Sequence, residues 1–483
     1  MKHAFRLCLC LVVLFSLTAC GSKEVRDVPV SRFGLSDGET ARDLAVFPQD
    51  LAVYAERVGK NGALMDAERQ GRESSRYRAN FFAAWGKTVS HLPRNAVFEG
   101  VKNMNPAKGY AENLRLWDAG RWQSLIDNCW MDGYGSVPAR PAITVSTTPL
   151  RRMPTDAPYF LDPGKGGEGF PFDYMQNSTL WVGTPVAVIH VSRDGAWAFV
   201  QTRLVSGWAK VATLAAVDQA FIEAWQSRPL AVFVQDAVSL PILDRPDAVT
   251  GLHSSVTAHI GTLLPQAPVS AVSASHVPVY TPLRSFEGRA VMAVAHVPAV
   301  AIRKNPLPLT PQNMALVGNA MMGQPYGWGG LFSQRDCSAA MHDLFAAFGI
   351  WLPRNSRPQG MMGRRIDLDG LAPEQKEARI AREGIPFFSL VSMPGHVGLY
   401  LGTYSVRDEK GTRDVPVMFH NMWGLRVIEG RGGEKQEGRR IVGKAVVTSL
   451  RPGSEYEGIT SPASLLDRIN GLAVLPEPLP EER

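Results

Sequence analysis

A chain of 483 residues, at roughly 150 residues per domain, has room for about three domains and several sizeable cores. Its 45% hydrophobic and 20% charged residues exclude a disordered or collagen-like chain, and 35 Pro with 45 Gly against 20 Phe and 11 Trp argue against an all-helical bundle. A formal charge of +6, left over from 51 basic and 45 acidic side chains, is too dilute for a nucleic-acid partner and implies only a weak preference for anionic surfaces.

The first predicted element is a hydrophobic leader. Lys2 and Arg6 precede Leu7 to Ala19, where Ser16 and Thr18 are the only polar residues. This is the pattern of a signal peptide over residues 1–19, too short for a spanning helix, which needs about 20 apolar residues. Leu17-Thr18-Ala19-Cys20 resembles the bacterial lipobox, whose cysteine receives a diacylglycerol and becomes the first residue of the mature chain. Cys20 is then the lipidation site, and the protein is expected to be exported and lipid-anchored to the cell envelope, facing the periplasm or wall. Gly21 rather than Asp follows it, which suggests the outer membrane if the source has two.

Of five cysteines, Cys8 and Cys10 would leave with the leader and Cys20 would carry lipid. Cys129 and Cys337 remain, 208 positions apart, which offers neither a disulfide framework nor a zinc cage. At least one of these thiols is expected to do chemistry.

Residues 20–134 read as a small helical domain. Tyr110, Leu114 and Trp117 are spaced by 4 and 3, as are Trp122, Leu125 or Ile126, and Cys129, which places Cys129 in an apolar helical face as a buried thiol. Residues 135–220 turn to β: prolines punctuate the first half, and the second half runs strand, Asp194-Gly195 turn, strand, turn, and a strand holding Gly207-Trp208. This stretch resembles a bacterial SH3-like barrel. Residues 221–305 repeat the β-rich texture and are expected to form a second, divergent barrel. N-P-L-P-L-T-P, residues 305 to 311, reads as a stiff linker. It introduces an α+β domain over 306–450, and residues 451–483, closing on Pro476, Pro478 and Pro480, read as a surface tail.

The chemistry is concentrated in the α+β domain. Cys337 heads a helical run in R-D-C-S-A-A-M-H-D-L-F, where unpaired N–H groups and the helix dipole favour a thiolate and can bind an oxyanion. G-H-V-G-L-Y-L-G, residues 395 to 402, alternates as a strand with His396 on the face of Gly398 and Tyr400, and His396 is the natural base. A third polar group is needed to orient the imidazole. V-P-V-M-F-H ends at His420, with Asn421 as competitor, and adjacent strand residues face opposite sides, so only one of them can serve.

The order Y-x-W-G-G, R-D-C-S at a helix start, G-H-V-G-L-Y-L-G and a strand ending in His resembles the NlpC-type branch of papain-like cysteine peptidases, which are bacterial cell-wall hydrolases. The lipobox, helical region and β regions resemble its multidomain members, with an N-terminal stabilising segment and two SH3-like modules. The resemblance implies an endopeptidase that cleaves the γ-D-glutamyl to diamino-acid bond of peptidoglycan stem peptides without a metal or other cofactor. In that reading Cys337 is nucleophile, His396 base and His420 the orienting member. It further implies that Asp336, with Ser338 beside it, holds a free amino end of the substrate, so that stems beginning with free L-Ala are preferred, and that Tyr326 lines the site. Asp336 is also placed as a helix N-cap. Asp173 and Tyr174, in F-D-Y-M-Q of the first barrel's long loop, are candidates for recognising the peptide end. Ala339 departs from the Gly that often follows D-C-S in the family. A monomer is expected, with stem peptides as substrate and the membrane as partner through the lipid.

Three other readings share some of these residues. An amidase or acyltransferase would pass through the same thioester. A non-catalytic wall-binding lipoprotein would use the SH3-like modules alone, which the intact Cys337 and His396 argue against. A zinc protein would draw on the 10 His, yet His396 and His420 lack H-E-x-x-H or paired-Cys context.

Overall fold

A computed structural model describes residues 41–475, apart from 59–61, 87–91, 137, 166, 243–254, 269–274, 409–410, 432–433 and 455–463. The leader and Cys20 lie outside the described residues.

The N-terminal region is helical where its caps allow. Asp66 caps the helix Ala67–Phe81 by accepting from Arg69 N, and Asp118 caps Ala119–Asn128 by accepting from Arg121 N. The second helix buries Trp122 and Leu125 and delivers Cys129, fully buried, to the same core, where burial pushes the thiol up to about 12. The spacing of Tyr110, Leu114 and Trp117 is not a helix. Tyr110 and Leu116 bridge across a tight turn, in which Asn113 Oδ1 accepts from Arg115 N and Leu114 sits at φ 58°. The Asn side chain supplies the local turn bond that overrides the helical spacing.

The first β region is a seven-stranded antiparallel sheet. Its order is Gln176–Leu180, Thr148–Arg151, Ser206–Lys210, Trp197–Gln201, Pro185–Val191, Arg140–Thr144, Leu214–Ala216. The Asp194-Gly195 turn joins strands as the sequence indicates: Asp194 Oδ1 accepts from Ser192 Oγ and Ala196 N, and Gly195 takes φ 71°. The second β region is built from small antiparallel sheets, linked by the bridges Ile242↔Ala295 and Gln266↔Val279.

The proline-rich 305–311 segment is no free spacer. Leu307 and Leu309 are buried, Leu307 N donates to Ala347 O, and Leu64 N donates to Leu309 O. The Gln70 side chain, on the first long helix, bonds Leu307 O, Phe348 O and Leu309 N, lacing the N-terminal domain to the C-terminal one.

The C-terminal domain sets the helices Pro311–Met321 and Cys337–Ala346 against a six-stranded sheet. Its order is Arg364–Asp367, Gly471–Val474, Ser389–Met393, His396–Asp408, Gly411–Arg431, Glu434–Ser449. The expected surface tail over 451–483 is therefore corrected. Gly471–Val474, all four residues buried, is an inner strand of this sheet, and Leu465 and Leu466 of the helix before it are buried as well. A short apolar run with a strand on either side pairs all its backbone polar groups, whereas a frayed tail would leave them to water.

Candidate active site

Asp336 caps the helix that begins at Cys337: its backbone is extended (φ −84°, ψ −178°), and its Oδ1 accepts from Ala339 N at 2.8 Å. The G-G of Y-x-W-G-G lets the first barrel dock just ahead of it. Gly329 and Gly330 take φ of 59° and 87°, and a Cβ there would stand 2.7 Å from Gln176 O and 2.3 Å from Thr179 Oγ1. Gln176 Nε2 donates to Gly329 O and Thr179 Oγ1 to Gly330 O, both at 2.9 Å, so the barrel strand Gln176–Leu180 forms one side of the cleft.

Cys337, Asp336, Ser338, Tyr326 and Tyr174 all line that cleft, whose volume is about 190 Å³. His396 opens its strand opposite Met393, and Gly395, just before it, carries the carbonyl 4.0 Å from Cys337 Sγ. His396 Nε2 lies 2.7 Å from His420 Nδ1, and His420 Nε2 lies 3.0 Å from Thr448 Oγ1. Asn421 faces away, and its Nδ2 donates to Arg335 O at 2.8 Å. The strand alternation thus separates the two competitors: His420 meets His396, while Asn421 braces the backbone ahead of Cys337.

The thiol is not lowered as its helix position suggests. Burial and the neighbouring Asp336 carboxylate push Cys337 up to about 12, outweighing the Val397 and Ser338 N–H groups. Burial, and next to it the Arg468 charge, pushes His396 down to about 4. Burial thus favours the neutral form of both the thiol and the imidazole.

Asp336 is occupied. Arg354 Nη2 donates to its Oδ2 at 2.7 Å and Nη1 to its Oδ1 at 3.1 Å, while Ser338 Oγ and Gly329 N also donate to it. Burial raises this carboxyl, but the Arg354 guanidinium and the remaining donors outweigh burial and hold it below the ordinary aspartate value. Ser338 accepts from Arg354 Nη1 at 3.1 Å.

The two barrel-loop candidates part company. Tyr174 faces the cleft, its ring 5.7 Å from that of Trp328, and Phe172 joins the same wall, 5.1 Å from Trp328 and 6.0 Å from Trp423. Asp173 does not. It is buried, pairs with Arg151 Nη1 at 2.7 Å, and accepts from Tyr159 N and Met175 N at 2.9 Å each. Its place as a peptide-recognition residue is corrected: the carboxylate is spent on holding the loop. Tyr326 packs 6.1 Å from the Trp423 ring, and burial together with the Cys337 and Asp336 charges raises its phenol well above the usual value.

Sequence reasoning missed Arg354, Arg152, Trp328 and Thr448. Arg354 stands in W-L-P-R-N-S, a lone cation at the end of an apolar run, which is the signal for a buried partner. It also missed Arg335 of R-D-C-S, which is buried and donates to Asp236 at 2.5 and 3.0 Å and to Asp343 at 2.6 Å.

Family models match three parts of the chain. The NLPC_P60 stabilising domain covers residues 7–134, the SH3 domain of SH3b1 type covers 158–210, and the NlpC/P60 family covers 323–431. The SH3 match falls on the first barrel. An NlpC/P60 endopeptidase from Photobacterium damselae subsp. piscicida superposes with a TM-score of 0.77 at 24% identity, over 90% of this chain and 98% of its own, and so shares the fold. An NlpC/P60 family protein from Bacillus cereus aligns over 70% of this chain and 100% of its own at 15% identity, with a TM-score of 0.41. No curated protein matches the chain.

Proposed function

We propose that this chain, which carries an N-terminal NlpC/P60 stabilising domain, an SH3b domain and a papain-like NlpC/P60 domain, is a cysteine endopeptidase of the bacterial cell wall that hydrolyses the γ-D-glutamyl to diamino-acid bond of stem peptides. The observation that carries the reading is Cys337 in a narrow cleft between the peptidase domain and the first barrel, with the hydrogen-bonded His396–His420 pair starting one residue after Gly395, whose carbonyl lies 4.0 Å from Cys337 Sγ. Burial favours the neutral forms of thiol and imidazole, so attack and proton transfer go together. Cys337 Sγ bonds to the scissile carbonyl carbon as its proton passes to His396, and the oxyanion meets an N–H group of the first helical turn. Asp336 takes the N–H groups of Ala339 and Ala340 and the Ser338 N–H points at the thiol, which leaves that of Cys337 for this task. Collapse of the adduct releases the diamino-acid amine with the proton from His396, and water then hydrolyses the thioester by the same route.

Two features support the substrate. Arg152, from the barrel, lines the cleft and suits the α-carboxylate that a γ-linked D-Glu leaves free. The wall formed by Phe172, Tyr174 and Trp328 narrows the cleft and favours a stem with a free L-Ala end over one bearing a sugar. Because Asp336 is already neutralised by Arg354, that preference is assigned to steric closure rather than to an ammonium pair with Asp336. Anchoring through a lipid on Cys20, at the cell envelope, belongs to the same reading and rests on the leader sequence.

The test is digestion of L-Ala-γ-D-Glu-diamino-acid tripeptides, free and muramyl-linked, by the soluble chain and by Cys337→Ala, with products read by mass. Release of L-Ala-γ-D-Glu by the wild type alone, and faster from the free peptide, supports the reading; unchanged cleavage by Cys337→Ala overturns it.

A further inference from the structure

The catalytic imidazoles continue into a chain of hydrogen bonds that ends on the backbone. Thr448 Oγ1 donates to Ser449 O at 2.7 Å. A hydroxyl has a single proton, so toward His420 Nε2, 3.0 Å away, the same oxygen accepts. His420 then carries its proton on Nε2 and offers a bare Nδ1, which accepts from His396 Nε2–H across 2.7 Å. His396 is left with an unprotonated Nδ1, the nitrogen a general base needs. The pairing explains the reach. Val446 lies opposite His420, and Thr448 lies opposite Met418, so Thr448 stands two residues along on the face of His420.

The inner part of this chain of bonds is shut off from solvent, His420 being 0% and Thr448 1% exposed, while His396 at the cleft end is half-buried. Its far end is also clamped. Thr448 sits near the end of Glu434–Ser449, the edge strand of the sheet, and the N-terminal segment covers that edge. Asp43 Oδ2 accepts from Ser449 N at 2.8 Å and Ser449 Oγ at 2.6 Å, and the Gln49 amide bonds both Val447 N and Val447 O.

We infer that Thr448 is a positioning residue for the hydrolysis proposed above: its hydroxyl, committed to the Ser449 carbonyl and held by the Asp43 and Gln49 clamp, sets the tautomers of His420 and His396 so that His396 can accept the thiol proton. Without the hydroxyl, His420 has no acceptor for Nε2–H and gains by moving the proton to Nδ1. That tautomer confronts His396 with a donor and drives its own proton to the nitrogen that must stay bare. The loss is specific to proton transfer and leaves the substrate-lined part of the cleft intact.

The experiment compares wild type, Thr448→Val and Thr448→Ser in the full chain, measuring kcat and KM on the free tripeptide, the rate of Cys337 alkylation by iodoacetamide, and melting temperature. The expected result is a fall of about tenfold to a hundredfold in kcat and in alkylation rate for Thr448→Val, with KM within about twofold, and recovery to within about threefold of wild type in Thr448→Ser. A folded Thr448→Val with wild-type kcat and alkylation overturns the inference, as does a Thr448→Ser as impaired as Thr448→Val. Should the valine variant not fold, imidazole nitrogen-15 shifts of the wild type decide: His420 protonated on Nε2 supports it, and protonation on Nδ1 overturns it. Alkylation and the nitrogen shifts do not depend on the peptide being the substrate, so failure of the proposed function alone would leave them unchanged.

Discussion

Arg354 grips Asp336 with both terminal nitrogens, at 2.7 and 3.1 Å, while its Nε donates to Ser178 Oγ of the first barrel at 2.8 Å. One buried guanidinium thereby joins the residue before Cys337 to the neighbouring domain, and the barrel becomes part of the wall of the cleft that holds Cys337.

Removing that cation should be costly. Arg354→Ala would leave the Asp336 carboxylate buried and unpaired, a change expected to cost about 3 kcal/mol or more. A lowered melting temperature and at least a tenfold loss of kcat/KM are expected. Arg354→Lys should recover only part of both, since an ammonium cannot bond both Asp336 oxygens and Ser178 in the same plane. Calorimetry and steady-state kinetics check this, and full activity in Arg354→Lys would show that charge alone suffices.

Acid should act on the imidazoles. His396 is bonded to His420 and feels the Arg468 and Asp336 charges; burial comes first and lowers it to about 4, and burial and His396 hold His420 well below its ordinary value. The unfolded chain protonates these histidines from about 6.5 downward, whereas folded His396 refuses the proton until about 4, so unfolding takes up protons in that window. Their contribution to stability is therefore intact above about pH 6.5 and is lost as pH falls toward 4. kcat/KM should keep its neutral-pH value until an acid limb near 4, where His396 protonates and can no longer accept the thiol proton. A pH series of melting curves and rates checks both, and an acid limb at about 6.5 would mean that His396 is not desolvated.

The second β region should matter to the chemistry through Asp236. Burial raises this carboxyl, but the Arg335 charge and the His259, Arg335 and Ile260 donors hold it far below the usual value. Arg335 immediately precedes Asp336, and its carbonyl is also held by Asn421. Asp236→Asn keeps the shape and removes the charge, so a drop of about 1–3 kcal/mol in stability is expected. A severalfold loss of kcat should accompany it, as the backbone before Cys337 loosens. Chemical denaturation and tripeptide turnover measure the two. An Asn variant with wild-type values for both would confine the second β region to a role away from the nucleophile.

Much of the peptidase domain was legible in the sequence because its signals are local. R-D-C-S before an apolar helical run, the alternation from His396 to Tyr400 and the strand carrying His420 are patterns of period 3.6 and 2 within short windows, although that strand does not end at His420 but runs on to Arg431. Alternation was enough to set His420 and Asn421 on opposite faces. What could not be read there depends on partners far away in the chain. Asp43 finds Ser449, Ser178 finds Arg354, and Asp236 finds Arg335 only after the domains pack. Asp173 looked available until Arg151 claimed it, and Gly471–Val474 looked like part of a tail until two strands closed around it. The thiol shows the same division. Its place at a helix N-terminus was legible and favours the thiolate, yet desolvation by the assembled domains opposes this and wins, because withdrawing a charge from water outweighs what the N–H groups of one helical turn return.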